Sequence, residues 1–472
     1  MNRAVASIVA YLLFLLSPRT LPAVTPAAPT PQDPAKSATA FVDVSVVDVT
    51  RGVVVPHQSV LVRAGRIETV GPVQDIRLPR DVHQVDGRGL VLMPGLADMH
   101  VHLRSPSELI SYLAYGVTTV ANLGGAVAEA PDILGYKRLI AAGALIGPTI
   151  YTTGPLIDAS PLIFKDVSVK ADSPEEVRQV VGAHKAAGYD MVKIYQRLEP
   201  PVYDALITSA REEGICAVGH VPQTITLMHA LESGQAMIAH AAFFLEPLLE
   251  ESGQAYDLEK LAPLIEAMWS HDVTVMPTLV ATLRHPELGD NEFDAVYQHP
   301  EMRFLHPSVE RVWRQTTPQT LGRYVRDPAL TNPFVLLLTK QLHETGVLML
   351  LGTDAPAALP GLFPGLSAHM EMAAFVRAGL TPAEVLEIAT RSAGEFVTRH
   401  IDPHDFFGEI RAGWRADLVL LRRDPLENLE HALDIAGVMA RGRWLTSEDL
   451  AALRSEMVKQ FGSARAGETP PK

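Results

Sequence analysis

Short apolar segments recur through the middle of this chain and alternate with longer amphipathic segments. A strand buried on both faces forms a nearly continuous apolar run, and alternation with helices at intervals of roughly 20 to 40 residues indicates βα units. The candidate strands begin at Leu96, Val117, Thr149, Met191, Cys216, Met237, Val273 and Val347. Eight βα units over about 300 residues predict an α/β fold with a (β/α)8 barrel of the TIM type.

Capping residues mark helix ends between these strands. Ser173 and Gly188 flank an amphipathic segment as its expected N-cap and C-cap, and Thr381 followed by Pro382 predicts the start of a later helix. The stretch 283–331 interrupts the alternation of strand and helix patterns, and it contains scattered proline, histidine and charged residues. We interpret this stretch as a lid-like insertion after the seventh strand.

Strand patterns of a different kind occur near both ends of the chain. Before residue 92, apolar positions alternate partly with polar ones and flank a hairpin turn at Ala64-Gly65-Arg66. A second set of short strands is predicted between residues 416 and 445. Each set is too small to bury a core alone, so we predict one small β-sandwich that both chain ends build.

The N-terminus carries a pattern typical of a bacterial secretory signal. Arg3 precedes the apolar run 4–16, and residues 18–40 are rich in proline, alanine, threonine and serine, as in a flexible linker. We expect an exported protein, periplasmic or secreted, without a stable membrane span after processing; the apolar run is short for a spanning helix, and an uncleaved membrane anchor is the alternative. The predicted regions are a signal peptide and linker (1–39), the first part of the β-sandwich (40–92), the barrel (93–400), the second part of the sandwich (401–446) and a C-terminal helix and tail (447–472).

Composition narrows the range of partners. The 472 residues are 47% hydrophobic and carry a net charge of −14. A protein this acidic is poorly suited to binding nucleic-acid backbones, so we expect no nucleic-acid partner. Separately, we expect a small-molecule substrate and assembly into a homo-oligomer. The single cysteine, Cys216, excludes an internal disulfide, and its apolar surroundings indicate a buried, inert thiol.

Six side chains that can bind metal stand at or near the ends of the predicted strands. They are His100, His102, Lys193, His220, His240 and Asp354. The carboxyl ends of the strands in a parallel barrel open onto one face, where catalytic residues gather. His100 and His102 are two residues apart, so both point to the same side of a strand. Each histidine alone could be an ordinary core or surface residue, but the ordered set predicts a two-metal hydrolase site.

Lys193 is the most specific of the six. An ammonium inside an apolar strand is unfavourable unless it is paired or neutralised. A neutral lysine amine can add carbon dioxide to form a carbamate, whose two oxygens can bridge two cations. The alternatives are a lysine paired with a carboxylate and one whose ammonium reaches the rim. Asp354 has a carboxylate that can bind a metal and accept a proton.

At these positions the chain resembles the amidohydrolase superfamily, and within it the prolidase-like branch of imidazolonepropionase-related hydrolases and Xaa-Pro or Xaa-Arg dipeptidases. The matching motifs are MPGLADMHVH (93–102), GVTTV (116–120), VKIY (192–195), GHVP (219–222), IAH (238–240), GTDA (352–355) and GWRADLVL (413–420). The resemblance implies two divalent metal ions, expected to be zinc. His100, His102 and Asp354 would hold the more buried ion, His220 and His240 would hold the second, and carbamylated Lys193 would bridge them.

The resemblance also implies the reaction, which is hydrolysis of an amide bond. Asp354 would be a catalytic proton acceptor and donor, and Tyr195 would act on the substrate carbonyl or carboxylate. Tyr195 and His369 are expected to contact the substrate, a dipeptide or N-acyl amino acid with a free carboxylate. Ala239 stands where the family commonly has glutamate, and residues 154–159 replace a glycine-histidine loop, so both positions bear on specificity. The alternatives are a lactone, carbamate or phosphotriester hydrolase with the same site, and an inactive exported metal-binding protein.

Overall fold

The computed structural model describes residues 38–124, 132–250, 255–287, 292–316, 327–357 and 359–467. The predicted signal peptide lies outside these residues, so export stays a prediction. The strands are β1 (Thr39–Asp48), β2 (Val53–Arg63), β3 (Arg66–Pro72), β4 (His83–Asp86), β5 (Val91–Pro94), β6 (Leu96–Val101), β7 (Val117–Asn122), β8 (Thr149–Thr152), β9 (Leu156–Asp158), β10 (Ser168–Lys170), β11 (Met191–Ile194), β12 (Cys216–Gly219), β13 (Met237–Ala239), β14 (Thr274–Met276), β15 (Leu418–Leu421), β16 (Ile435–Ala440) and β17 (Arg443–Thr446).

Helices occupy most of the segments between the later strands. The α-helices are α1 (Glu108–Ala114), α2 (Ile133–Ala141), α3 (Pro174–Ala187), α4 (Pro200–Glu213), α5 (Leu227–Ser233), α6 (Leu245–Leu248), α7 (Leu261–Ser270), α8 (Leu279–Glu287), α9 (Glu292–Gln298), α10 (Pro307–Gln315), α11 (Pro328–Glu344), α12 (Leu366–Arg377), α13 (Pro382–Ala389), α14 (Arg391–His400) and α15 (Ser447–Gly467). The predicted caps are confirmed: Ser173 caps the start of α3, Gly188 ends it with a left-handed φ of 91°, and Thr381 forms a capping box on α13.

Both chain ends contribute to one mixed sheet of eight strands, in the order β17-β16-β15-β5-β1-β2-β3, with β4 paired to β1. The predicted hairpin turn joins β2 and β3, and both Ala64 (φ 48°) and Gly65 (φ 75°) are left-handed, as a two-residue type I′ turn requires. The sheet curves so far that the rings of Phe41 in β1 and Trp444 in β17 have centroids 5.0 Å apart. The two ends therefore build a common core, in the form of one curved sheet.

Seven of the eight strand segments predicted in the middle of the chain are strands, and all of them pair in parallel. One sheet consists of β6, β7 and β8, and a second has the order β10-β9-β11-β12-β13-β14. Three isolated parallel bridges connect these sheets with each other and with the eighth predicted segment; they pair Thr153 with Met191, Val275 with Met349 and Val101 with Ala355. The described strands thus form two parallel sheets that bridges connect.

The eighth predicted segment, which begins at Val347, is not a regular strand. Its backbone hydrogen-bonds to residues of both β14 and β6. At Gly352 the chain passes so close to Met276 that a Cβ atom would lie 2.3 Å from the sulfur. Asp354 follows with a left-handed φ of 63°. This irregular path turns Asp354 toward the end of β6. The apolar run in the sequence does not predict the turn.

Two regions differ from the expected loops. Residues 154–159 contain β9, which pairs with both β10 and β11; three-residue strands are too short to be recognised from a pattern. The predicted lid-like insertion contains α9 and α10, while its residues 288–291 and 317–326 lie outside the described part of the chain. Trp313 of α10 is fully buried, and its Nε1 donates to the Ala357 carbonyl at 2.8 Å. The insertion therefore packs on the segment that follows Asp354.

Candidate metal centre

His100, His102 and Asp354 meet where β6 ends. The Nε2 atoms of His102 and His100 lie 2.7 Å and 3.1 Å from the Oδ1 atom of Asp354. Each of the three residues offers one ligand atom, and these atoms lie within 4.8 Å of one another. The backbone explains the meeting, because the Asp354 N–H donates to the His100 carbonyl at 2.8 Å. Two imidazoles and one carboxylate form a donor set that suits a divalent metal ion.

His220 and His240, which follow β12 and β13, extend this group. The ring centroids of His100 and His240 are 5.1 Å apart, and those of His220 and His240 are 4.9 Å apart. The Nε2 atoms of His220 and His240 lie 3.1 Å from each other. His240, like Asp354, has a left-handed φ (70°), a conformation that is uncommon outside glycine and is found at functional sites. The four predicted histidines therefore form one continuous cluster.

Lys193 is buried inside β11, with 1% of its surface exposed. Its Nζ has no hydrogen-bond partner among the described residues, so neither a paired lysine nor one at the rim is observed. The aliphatic part of the side chain crosses Gly219 (φ 122°), where a Cβ atom would lie 2.6 Å from the lysine Cδ. The glycine before His220 is therefore required by the path of the lysine. Burial lowers the pKa of Lys193 to about 8, which increases its neutral fraction.

Hydrogen bonds behind the cluster fix the proton positions of two histidines. His102 Nδ1 donates to the Gly124 carbonyl at 2.7 Å, since a carbonyl can only accept. His240 Nδ1 donates to Thr278 Oγ1 at 2.7 Å, because the Thr278 hydroxyl gives its own proton to the Pro277 carbonyl at 2.8 Å. In each neutral ring, Nε2 then carries the lone pair and faces the cluster.

This proton arrangement tests whether a metal fits the site. The Nε2 lone pair of His102 faces a carboxylate oxygen of Asp354 at 2.7 Å, and two acceptors at this distance repel each other unless a proton or a cation lies between them. The Nδ1 atoms of His100 and His220 are buried without a hydrogen-bond partner among the described residues. The buried Lys193 Nζ adds a third polar atom without a protein partner. The donor set therefore fits divalent metal ions.

The electrostatics of the cluster favour the neutral forms of His100, His220 and His240 and an ionised Asp354. Burial, together with the charge of Lys193, lowers the pKa of His100 and of His220 well below the usual value. Burial also lowers the pKa of His240 to about 4. Burial alone would raise the pKa of Asp354, but the two histidines beside its carboxylate hold that pKa well below its usual range. Neutral imidazole and ionised carboxylate are the forms that bind metal ions.

The two predicted substrate residues lie in different places. Tyr195 joins the cluster, because its ring centroid is 4.6 Å from that of His220. His369, in α12, points elsewhere: its Nε2 donates to the carbonyl of Tyr115, at the end of α1, at 2.8 Å. A substrate role for His369 stays a prediction, and this contact does not support it.

Three side chains near the cluster were not predicted from the sequence as site residues: Asp98, Thr278 and Arg104. Asp98 is fully buried and accepts hydrogen bonds from the backbone N–H of His100 (3.3 Å), from the backbone N–H of Thr353 (3.1 Å) and from the Thr353 hydroxyl (2.7 Å). It could have been found, because it precedes His100 by two residues and shares its strand face. Thr278 and Arg104 carry no such signal, since they follow strands at positions that are usually loop residues.

The parallel sheets and the histidine-carboxylate cluster together define an α/β protein with a candidate metal site. The profile of the amidohydrolase family matches residues 91–445, and the chain belongs to this family, which confirms the predicted resemblance. Members of the family generally use metal ions. Its membership makes the chain a hydrolase that acts on C–N bonds of small molecules. No helix in the described part of the chain is long and apolar enough to cross a membrane.

Comparison with individual proteins agrees with this assignment. Ochratoxinase of Aspergillus niger is 21% identical over 425 residues, covering 76% of this chain and 75% of that protein. The structure of bottromycin amidohydrolase superposes with a TM-score of 0.69 at 27% identity, covering 90% of this chain and 91% of that one. A Xaa-Pro dipeptidase with bound methionine superposes with a TM-score of 0.66 at 19% identity, covering 87% and 100%. The last likeness concerns the fold alone.

Proposed function

We propose that this protein is a binuclear, zinc-dependent amide hydrolase that cleaves a dipeptide or an N-acyl amino acid at the mouth of a closed (β/α)8 barrel. The observation that carries the proposal is the cluster itself, in which the Nε2 lone pair of His102 faces a carboxylate oxygen of Asp354 and the Nε2 atoms of His220 and His240 lie 3.1 Å apart. The likeness to bottromycin amidohydrolase supports the same choice of bond. The bridges that connect the parallel sheets support barrel closure.

The donor set suggests how two ions would be held. His100, His102 and Asp354 would bind one ion, His220 and His240 would bind the other, and Lys193, carbamylated, would bridge them. The neutral amine of Lys193 adds carbon dioxide and releases one proton, and its lowered pKa favours this reaction. Two bound divalent ions would lower the pKa of a water and polarise the substrate carbonyl.

The protein side chains would supply the proton transfers. Asp354 is ionised, so it can accept a proton during the attack on the carbonyl carbon and return it to the leaving amine. The ring of Tyr195 lies tilted against that of His220 at one edge of the cluster, where its hydroxyl would contact the carbonyl oxygen of the substrate. Asp98 would hold His100 and Thr353 in place through its backbone contacts.

Arg104 supports a substrate with a free carboxylate. It follows His102 by two residues. Burial lowers the pKa of its guanidinium, and the nearby charges of Glu108 and Asp354 oppose this decrease. Its buried Nε has no hydrogen-bond partner among the described residues, and its Nη2 makes one long contact of 3.4 Å with the Pro356 carbonyl. A buried guanidinium with so few partners can form paired hydrogen bonds to a carboxylate.

Matched substrates test the proposed function. We expect the purified protein to hydrolyse dipeptides or N-acyl amino acids with a free carboxylate better than their carboxamide analogues. Arg104→Met should raise KM for the free acid by about 10- to 100-fold, because a hydrogen bond to a charged group contributes about 1.5–3 kcal/mol, and should leave KM for the carboxamide unchanged. Arg66→Met is the control, since Arg66 bonds the Gly413 carbonyl at the protein surface. If the protein hydrolyses lactones, carbamates or phosphotriesters but no amide, the proposed amide hydrolysis is wrong and the alternative function is correct.

Metal content tests the binuclear centre independently of the substrate. We expect about two divalent ions per chain, mainly zinc, in protein prepared without chelators, because six ligand residues suit two ions. Elemental analysis on protein of known concentration measures the ratio. A reproducible content of one ion per chain together with full activity would rule out a binuclear mechanism.

A further inference from the structure

The carboxylate of Glu371, in α12, is fully buried and ends at the start of α8. One of its oxygens accepts from the Leu279 N–H at 2.8 Å, and the other accepts from the Val280 N–H at 2.6 Å. These two amides belong to the first turn of a helix, where backbone N–H groups have no partner within the helix. Glu371 therefore fixes the first turn of α8 with both of its oxygens.

Burying a carboxyl group is an unfavourable way to stabilise the start of a helix. Burial raises the pKa of the Glu371 carboxyl to about 8, and the nearby Asp98 adds to the increase. A short polar residue at the N-cap would satisfy similar amides without burying a carboxyl group, as Thr381 does at the start of α13. The position of the carboxylate thus points to a requirement at this particular turn.

The turn that Glu371 holds adjoins the metal centre through Thr278. Thr278 directly precedes Leu279, is fully buried, and has a left-handed φ of 48°, which is strained for a β-branched residue. Its hydroxyl oxygen accepts the Nδ1 proton of His240 at 2.7 Å, and this bond directs the Nε2 of His240 into the cluster. Any relaxation of the first turn of α8 would move Thr278 and rotate the histidine.

We propose that Glu371 is a positioning residue for the metal centre: by holding the Leu279 and Val280 amides, it keeps Thr278 in its strained conformation and so aims His240 at the metal ion. The inference rests on the binuclear centre proposed above. Glu371 itself touches neither substrate nor ligand; it acts through the backbone of the residue that orients a ligand. Outer contacts of this kind typically change metal affinity 10- to 100-fold when they are lost.

Glu371→Gln separates this role from simple packing. The amide keeps the size of the side chain, but its NH2 group would face one of the two backbone N–H groups, so one hydrogen bond is lost. We expect zinc affinity at the weaker of the two sites to fall about tenfold or more, measured by titration against a zinc-buffering chelator without any substrate. Thr278→Val, which removes the acceptor for His240, should give a loss of similar size. In the double variant the two losses should not add, because both substitutions act on the same histidine.

Two controls define the outcome. Glu384→Gln removes a comparable carboxylate from the start of α13, where it accepts from the Thr381 N–H at 2.7 Å, and should leave both zinc affinities unchanged. If Glu371→Gln does not fold, Glu371→Asp keeps the carboxyl group, reaches the amides less well, and should weaken the same site. A wild-type protein that binds one zinc ion refutes the binuclear centre. Two ions in the wild type with unchanged affinities in the folded Glu371 variants, or additive losses in the double variant, refute the positioning role instead.

Discussion

Replacing Asp354 with asparagine lowers turnover by a factor of about 10² to 10⁴ or more, while the protein still folds and retains at least one metal ion. Asparagine keeps the shape of the side chain and one ligating oxygen, but it cannot accept the proton that the ionised carboxylate takes. Loss of a general base typically reduces the rate within this range. The left-handed backbone at residue 354 favours the exchange, since asparagine tolerates this conformation better than most residues.

The measurement is turnover and metal content on the same preparation of Asp354→Asn. Asp190→Asn is the control, because Asp190 is a carboxylate at the amino end of β11, where it pairs with Lys137. Its loss should leave turnover nearly unchanged. If Asp354→Asn keeps both metal ions and loses less than about tenfold in rate, another group moves the proton.

Lys193→Ala should lose about 100-fold or more of the activity, together with part of the metal, and short carboxylic acids should restore some of both. The substitution removes a group proposed to bridge the ions and leaves a buried space against Gly219. Formate, acetate or propionate can place two carboxylate oxygens in that space, as the carbamate would. Loss of an outer contact to a metal ligand typically changes metal affinity or activity 10- to 100-fold, and loss of a bridging ligand should exceed this.

Rescue distinguishes a bridging lysine from a structural one. Turnover and metal content are measured across a series of acid concentrations, and Lys137→Ala is the control, because Lys137 pairs with Asp190 outside the cluster. The control should keep its activity and respond to none of the acids. Near-normal turnover in Lys193→Ala would show that the lysine serves packing alone.

Periodicity and strand ends made much of the site predictable. His100 and His102 share a strand face, and buried parallel strands are recognisable as apolar runs, so the residues that follow them could be assigned to one edge. The helix caps at Ser173 and Thr381 were equally local signals. The eighth strand segment could not be predicted in detail, because its path depends on the close approach of Gly352 to Met276.

The contacts that complete the site are long-range, which is why the sequence did not reveal them. The hydrogen bond of Asp98 with Thr353 spans 255 positions, and that of Glu371 with Leu279 spans 92. No periodic pattern connects such residues, since each partner lies in a different element. For His369 the sequence suggested a contact that the structure does not show. Its position indicated the substrate pocket, but its ring packs toward Tyr115.

The curved sheet also imposes an order on the folding of the chain. β5 pairs with β1 on one side and with β15 on the other, so its second edge stays open until residues near the C-terminus have been synthesised. An unpaired strand edge invites association with other chains. Contacts between such distant residues also form slowly, because a long loop must close first. Completion of this sheet is therefore a late step, and the residues after 417 determine whether the second edge of β5 remains exposed.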